Sequence, residues 1–294
     1  MTYDEKLKIA EQLRSSSVVQ TYLSPEMEGS LDRVDWKEEI IPTREGDSRV
    51  ILVSPRTVEE PCPLFINMHG GGFVRGYEKR DTVFSALLAE SLGCKVIDID
   101  YRLAPEHPFP SALNECYDVV KWSFDHADFL KIDRKRIALG GHSAGGNFTA
   151  AIALMANQTR DFSLCLQILD YPFLDAVTDP AEKAEPENLL PVERMRFFSR
   201  LYMENEEDYS NPFFSLVCAT PEMLKGLPPA LIITAGKDCL RKEAERYAMM
   251  LIHAGVDVRM RCFLESNHGF IIHGLAEYRE ARNLIINALE EAFK

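Results

Sequence analysis

Apolar residues along this chain fall into two alternating patterns: short continuous runs, and longer stretches with helical spacing. Residues 3–14 place Leu7, Ile9, Ala10 and Leu13 as an amphipathic helix would. A polar stretch with Pro25 and Gly29 follows, then Ile40-Ile41 and Arg49-Val50-Ile51-Leu52-Val53, which read as paired strands connected through Thr43–Asp47. Pro63–Met68 is a continuous apolar run, the mark of a strand buried on both faces. Residues 80–92 read as helix, Cys94–Asp100 as strand and 111–126 as helix. The run Arg136–Gly140 passes through Gly141–Gly145 into a helix of small apolar residues, Ala144 to Met155. Leu164–Leu169 is the next strand.

From about 173 to 226 the alternation stops, and charge, proline and aromatic residues dominate. Strand Ala230–Thr234, helix Leu240–His253, strand Val256–Phe263 and helix Ala276–Phe293 then resume it. Strands alternating with helices predict an α/β fold: a mostly parallel, doubly wound sheet with helices on both faces and the first two strands as an antiparallel edge. The expectation for residues 1–294 is a single domain, with a cap formed by about 1–40 and the insertion of about 173–226. Active sites of such sheets lie at the carboxyl ends of the strands.

Composition narrows the partners. The 294 residues carry 33 basic and 46 acidic side chains, a net charge of −13, which argues against a nucleic-acid or anionic-membrane surface. No apolar run is long enough to span a bilayer. Met1–Lys6 lacks a basic region followed by an apolar one, so no secretory leader is expected. The seven cysteines are scattered without a C-x-x-C, and read as free thiols in a reducing, cytoplasmic setting rather than as disulfides or a zinc site. No metal and no cofactor are called for.

The chemistry centres on Gly141-His142-Ser143-Ala144-Gly145, a Gly-x-Ser-x-Gly pattern between a strand and a helix. In that setting it is a nucleophile elbow, with the serine exposed on a sharp turn. A serine hydroxyl needs a base, and the base needs an orienting carboxylate, in the chain order Ser, Asp or Glu, His. Three histidines follow Ser143. His253 sits late in an expected helix, and His273 is the weaker alternative to His268, whose loop follows the last strand. Asp238 lies at the carboxyl end of the preceding strand and is the expected carboxylate, compatible with a second role as helix cap. Asp170 and Asp175 are its rivals. His69-Gly70-Gly71-Gly72 offers main-chain donors, so Gly71, Gly72 and Ala144 are the expected oxyanion hole. His69 reads as structural. Phe73, Phe198, Tyr202 and Phe213, with His142, are the candidates for lining a substrate pocket.

His69-Gly70-Gly71-Gly72-Phe73, Asp100–Glu106, Gly141–Gly146, Asp238 before Cys239-Leu240, and His268-Gly269-Phe270 together resemble the hormone-sensitive-lipase-like family of α/β-hydrolase esterases. The likeness spans about 200 residues in the family's order. It implies carboxylic-ester hydrolysis of a small-molecule substrate without cofactor, a cap over the site, a structural brace at Asp100–Glu106, and a homodimer formed edge to edge. His142 stands where the family usually carries an acidic residue, with packing or a part in substrate choice as its two readings. The expected activity is hydrolysis of short acyl esters, acetyl to hexanoyl. An amidase, formamidase or acetylated-sugar deacetylase on the same site is the alternative. A non-catalytic small-molecule receptor is the reading of a different class.

Overall fold

The chain is described here by a computed structural model covering residues 1–17, 21–183 and 189–294. Residues 18–20 and 184–188 of the expected cap segments lie outside the described residues. The short apolar runs pair into one sheet of eight strands: β1 (Val34–Thr43), β2 (Gly46–Pro55), β3 (Cys62–Met68), β4 (Lys95–Asp100), β5 (Ile132–His142), β6 (Leu166–Asp170), β7 (Ala230–Ala235) and β8 (Val258–Phe263). Their spatial order is β1-β2-β4-β3-β5-β6-β7-β8. β2 is antiparallel to both β1 and β4, and every pairing from β4 to β8 is parallel.

The side-chain period of two explains why β3 is apolar throughout. Leu64, Ile66 and Met68 join one core cluster, with the helices Ser111–Asp125, Ala144–Thr159 and Arg241–His253. Phe65 joins the other, with the helices Lys79–Leu92 and Tyr278–Ala292. A sheet covered on both faces leaves its strand ends as the natural place for a cleft.

Most element boundaries differ from expectation by a few residues. The last helix begins at Tyr278 rather than Ala276, because Ala276 has φ 46° and stands outside helical geometry. Short helices at Ala127–Leu130 and Phe270–His273 carry too few residues to show a period in the sequence.

The 173–226 stretch holds the helices Pro180–Lys183, Val192–Tyr202 and Pro221–Leu224. Helix Val192–Tyr202 meets the N-terminal helix Tyr3–Ser15. Arg194 Nη2 donates to the carbonyls of Leu13 (3.0 Å) and Ser16 (2.9 Å). The N-terminal helix is anchored in turn by Arg14, whose Nε donates to the Val74 carbonyl at 2.9 Å, while its two Nη groups each reach the Glu106 carboxylate at 2.7 Å. Both pieces therefore lie against the loops that follow β3 and β4. Among the described residues, no helix is long and apolar enough to cross a membrane, and all seven cysteines are free thiols.

Candidate active site

The turn between β5 and helix Ala144–Thr159 holds Ser143 at φ 55° and ψ −109°, a conformation that costs energy for any residue with a Cβ. The flanking glycines make it possible. A Cβ on Gly145 would overlap the carbonyl of Met68, and one on Gly141 would overlap the main chain of Gly145. Ser143 N–H donates to the Asp170 carbonyl at 3.0 Å, and the Ser143 carbonyl accepts from Asn147 and Phe173 at 3.1 and 3.2 Å. The side chain is thus carried at the tip by a fully bonded main chain.

Loops from two further strand ends converge on that tip. His268, beyond β8, places Nε2 at 2.9 Å from Ser143 Oγ and Nδ1 at 2.7 Å from Asp238 Oδ2. Asp238, beyond β7, is buried, and its other oxygen accepts from Leu240 N–H at 3.0 Å. One carboxylate therefore holds both the imidazole and the N–H of Leu240, the residue just before helix Arg241–His253. The rival groups lie elsewhere. Asp170 faces His142, Asp175 accepts from Val177, Thr178 and the Thr178 hydroxyl, and His253 is exposed at its helix end. His273 is buried with Nδ1 at 2.7 Å from Thr21 Oγ1, and burial, reinforced by Arg80, pushes its pKa down to about 3.

The loop after β3 folds as a tight turn in which the Gly71 carbonyl accepts from Val74 (3.2 Å) and Arg75 (2.9 Å). Gly71, Gly72 and Phe73 all have positive φ, at 129°, 61° and 67°. Among the described residues, the N–H groups of Gly71, Gly72 and Ala144 enter no main-chain hydrogen bond. For Ala144 this follows from its place in the first turn of a helix. The loop is held from below. Tyr101 donates its hydroxyl to the His69 carbonyl at 2.8 Å, its ring stacks on His69 at 4.0 Å, and Ala104 N–H donates to the Phe73 carbonyl at 2.9 Å. His69 itself is wholly buried, pushed down to about 4 chiefly by desolvation, with Nδ1 at 2.7 Å from the Gly70 carbonyl.

A single cavity joins these groups. Phe73, His142 and Phe198 line it, as does the Ser143–His268 pair. His142 is buried, with Nδ1 at 2.5 Å from Asp170 Oδ2 and the ring edge-on to Phe84 at 4.7 Å. Two expected lining residues are placed elsewhere. Tyr202 is buried behind Phe73, stacked at 4.1 Å, and Phe213 is half-buried against the core. Phe198 and Tyr202 lie one helical turn apart, and only the former reaches the opening. Phe173, Met195 and Leu240 complete the apolar wall. The cavity also holds Arg75, Arg80 and Arg194, which the sequence reading did not select. Arg75 lies three residues beyond the last glycine of the turn, and Arg80 lies in the first turn of helix Lys79–Leu92. Among the described residues, no cluster of three His, Cys, Asp or Glu side chains could hold a metal ion.

Comparison with known proteins bears on the fold and the family. The sequence profile of the α/β-hydrolase fold matches residues 65–272. The chain is 36% identical to an arylesterase of Saccharolobus solfataricus over 66% of this chain and 63% of that protein. It is 32% identical to the carboxylesterase NlhH of Mycobacterium tuberculosis over 84% and 75% of the two chains. A solved esterase from Pyrobaculum calidifontis superposes with a TM-score of 0.85 at 34% identity, covering 98% of this chain and 94% of that one. The match spans just under two thirds of the arylesterase and of a Schizosaccharomyces pombe α/β-hydrolase superfamily protein, 63% and 65% of their lengths. On a profile that covers most of its length, and a relative matched over three quarters of its own, the chain belongs to the α/β-hydrolase fold family, within its hormone-sensitive-lipase-like group.

Proposed function

We propose that this protein is a serine carboxylesterase that hydrolyses short-chain acyl esters, acetyl to hexanoyl. The observation that carries the reading is the continuous relay Ser143–His268–Asp238, with contacts of 2.9 and 2.7 Å. Ser143 Oγ attacks the ester carbonyl while His268 Nε2 takes its proton. The tetrahedral oxyanion accepts from the N–H groups of Gly71, Gly72 and Ala144. The carbon–oxygen bond then breaks, and His268 returns the proton to the leaving alkoxide. Water attacks the acyl-enzyme with His268 again as base, and the acid leaves as Ser143 recovers its proton. Asp238 fixes the tautomer and stabilises the imidazolium. The names of the similar arylesterase and carboxylesterase support ester rather than amide chemistry. Short acyl groups are favoured because charged side chains, Arg75, Arg80 and Arg194, interrupt the apolar wall of the cavity around Ser143.

A p-nitrophenyl ester series from acetate to palmitate, run on wild type and Ser143→Ala, tests this. Activity highest from acetate to hexanoate, and reduced by several orders of magnitude in the variant, is the expected result. Near-normal activity in Ser143→Ala rejects the assignment. The seven free thiols support a cytoplasmic setting. Pairing of the edge strand β8 with a second copy would give the homodimer. A clean monomer by sedimentation at micromolar concentration rules that out.

A further inference from the structure

Positive charge in this cavity runs against the rest of the molecule. The chain carries a net −13, yet Arg75, Arg80 and Arg194 line the cavity, with Asp81 as the one acidic residue among the described lining residues. Their partners do not balance them. Arg80 takes both oxygens of Glu78, at 2.6 and 3.0 Å. Arg75 reaches the same carboxylate only at 3.3 Å, and its buried Nε has no partner among the described residues. Among the described residues, Arg194 bonds only main-chain carbonyls and the Ser16 hydroxyl, and it covers the Phe198 ring at 5.4 Å. Burial, and then the charge of Arg75, push Arg194 downward, which places the two cations within each other's field. Asp81 is buried, accepts from Glu78 N–H at 2.8 Å, and is pushed up to about 7, first by desolvation. His142, which lines the same cavity, has a buried Nε2 without a partner among the described residues.

Half-buried like charges are unfavourable unless an anion sits among them. A guanidinium with uncommitted N–H groups matches the planar geometry of a carboxylate. Both arginines are tied to the oxyanion loop. Arg75 N–H donates to the Gly71 carbonyl at 2.9 Å, and Arg194 covers the ring that packs on Gly72. An anion held there shares the cavity with Ser143 and the oxyanion loop. We propose that Arg75 and Arg194, with Arg80 beside them, bind an anionic group of the substrate, so that the preferred esters carry a carboxylate a few bonds from the scissile carbonyl.

This inference rests on the ester-hydrolysis reading, and the experiment separates their failures. Wild-type kcat/KM is measured for mono-p-nitrophenyl glutarate against p-nitrophenyl pentanoate, and for 3-acetoxybenzoate against phenyl acetate. The first pair puts the carboxylate on the acyl side, the second on the alcohol side. The expected result is a preference of about tenfold or more for the anionic member of at least one pair. That preference shrinks with added salt, collapses in Arg75→Gln or Arg194→Gln, and is partly kept in Arg75→Lys. Preference for the neutral ester in both pairs, or a preference unmoved by salt and by both glutamine variants, overturns it. If no ester is turned over, the esterase reading fails. Calorimetric binding of glutarate then decides the anion site alone. Binding lost in Arg75→Gln supports the site, and absent or unaltered binding rejects it.

Discussion

The hydroxyl of Tyr101 donates to the main-chain carbonyl of His69 across 2.8 Å while the two rings stack at 4.0 Å. This contact joins the end of β4 to the loop that carries Gly71 and Gly72. Tyr101→Phe leaves a buried carbonyl unpaired, at an expected cost of about 1–3 kcal/mol. Because the loop positions donors for the transition state, kcat on p-nitrophenyl acetate should fall more than KM rises. A stability loss by denaturant titration with kcat unchanged would make the contact a fold brace only.

Asp238 is expected to act through His268 rather than through the fold. Asp238→Asn keeps an acceptor for Leu240 N–H, and should lower kcat by about four orders of magnitude with the folded structure retained. Circular dichroism and steady-state kinetics on the same sample check both halves. Loss of activity that tracks loss of folding would assign Asp238 to a structural role alone.

Gly72 has no room for a side chain, since a Cβ would overlap the ring of Phe198. Gly72→Ala should therefore displace Phe198 or the loop, and cut kcat/KM by about tenfold to a hundredfold. Adding Phe198→Ala opens that space and should restore part of the loss. No recovery would place the defect in the positive φ of 61° instead.

Lys183 and Glu243 form an ion pair at 2.6 Å with both side chains buried. Glu243 also accepts from the N–H groups of Leu174 (2.6 Å) and Asp175 (3.2 Å), which ties the start of the 173–226 stretch to helix Arg241–His253. Lys183→Met leaves a buried carboxylate without its cation, and should cost about 3–5 kcal/mol. Combining it with Glu243→Gln removes that charge and should recover much of the loss. A double-mutant cycle with no coupling would refute this account.

Asp98 is wholly buried and accepts from Asn67 (3.0 Å), Ser85 (2.7 Å) and Tyr77 (3.1 Å), with desolvation pushing its carboxyl up to about 7. Its pKa in the unfolded chain is about 3.9. The folded state therefore binds the extra proton between these values. The stability it contributes is full below about pH 4 and is lost as pH rises through about 7. Asp98→Asn should flatten that part of the curve of stability against pH. An identical slope in the variant, followed by thermal melts from acid to neutral pH, would assign the effect to other groups.

The elbow around Ser143 was legible because its requirements are local. A strand, two glycines and a helix of small residues fall within about twenty positions of the chain. His268 and Asp238 were legible because each stands just past an apolar run, where this sheet presents its strand ends. Phe198 and Tyr202 were not separable, since one helical turn relates them and both suit an apolar face. Packing of Tyr202 on Phe73 decides that only Phe198 reaches the opening.

By itself the sequence determined the order of strands and helices and the two-faced burial of β3, because hydrophobic period and turn chemistry act over neighbouring positions. Tertiary structure alone decided the character of the cavity. Arg75 in the loop after β3 reaches a carboxylate that Arg80 already holds, Arg194 in the 173–226 stretch bonds main-chain carbonyls and the Ser16 hydroxyl, and the two line one cavity only because distant segments meet there. A net charge of −13 averages over the whole surface, and so carries no trace of a cationic interior.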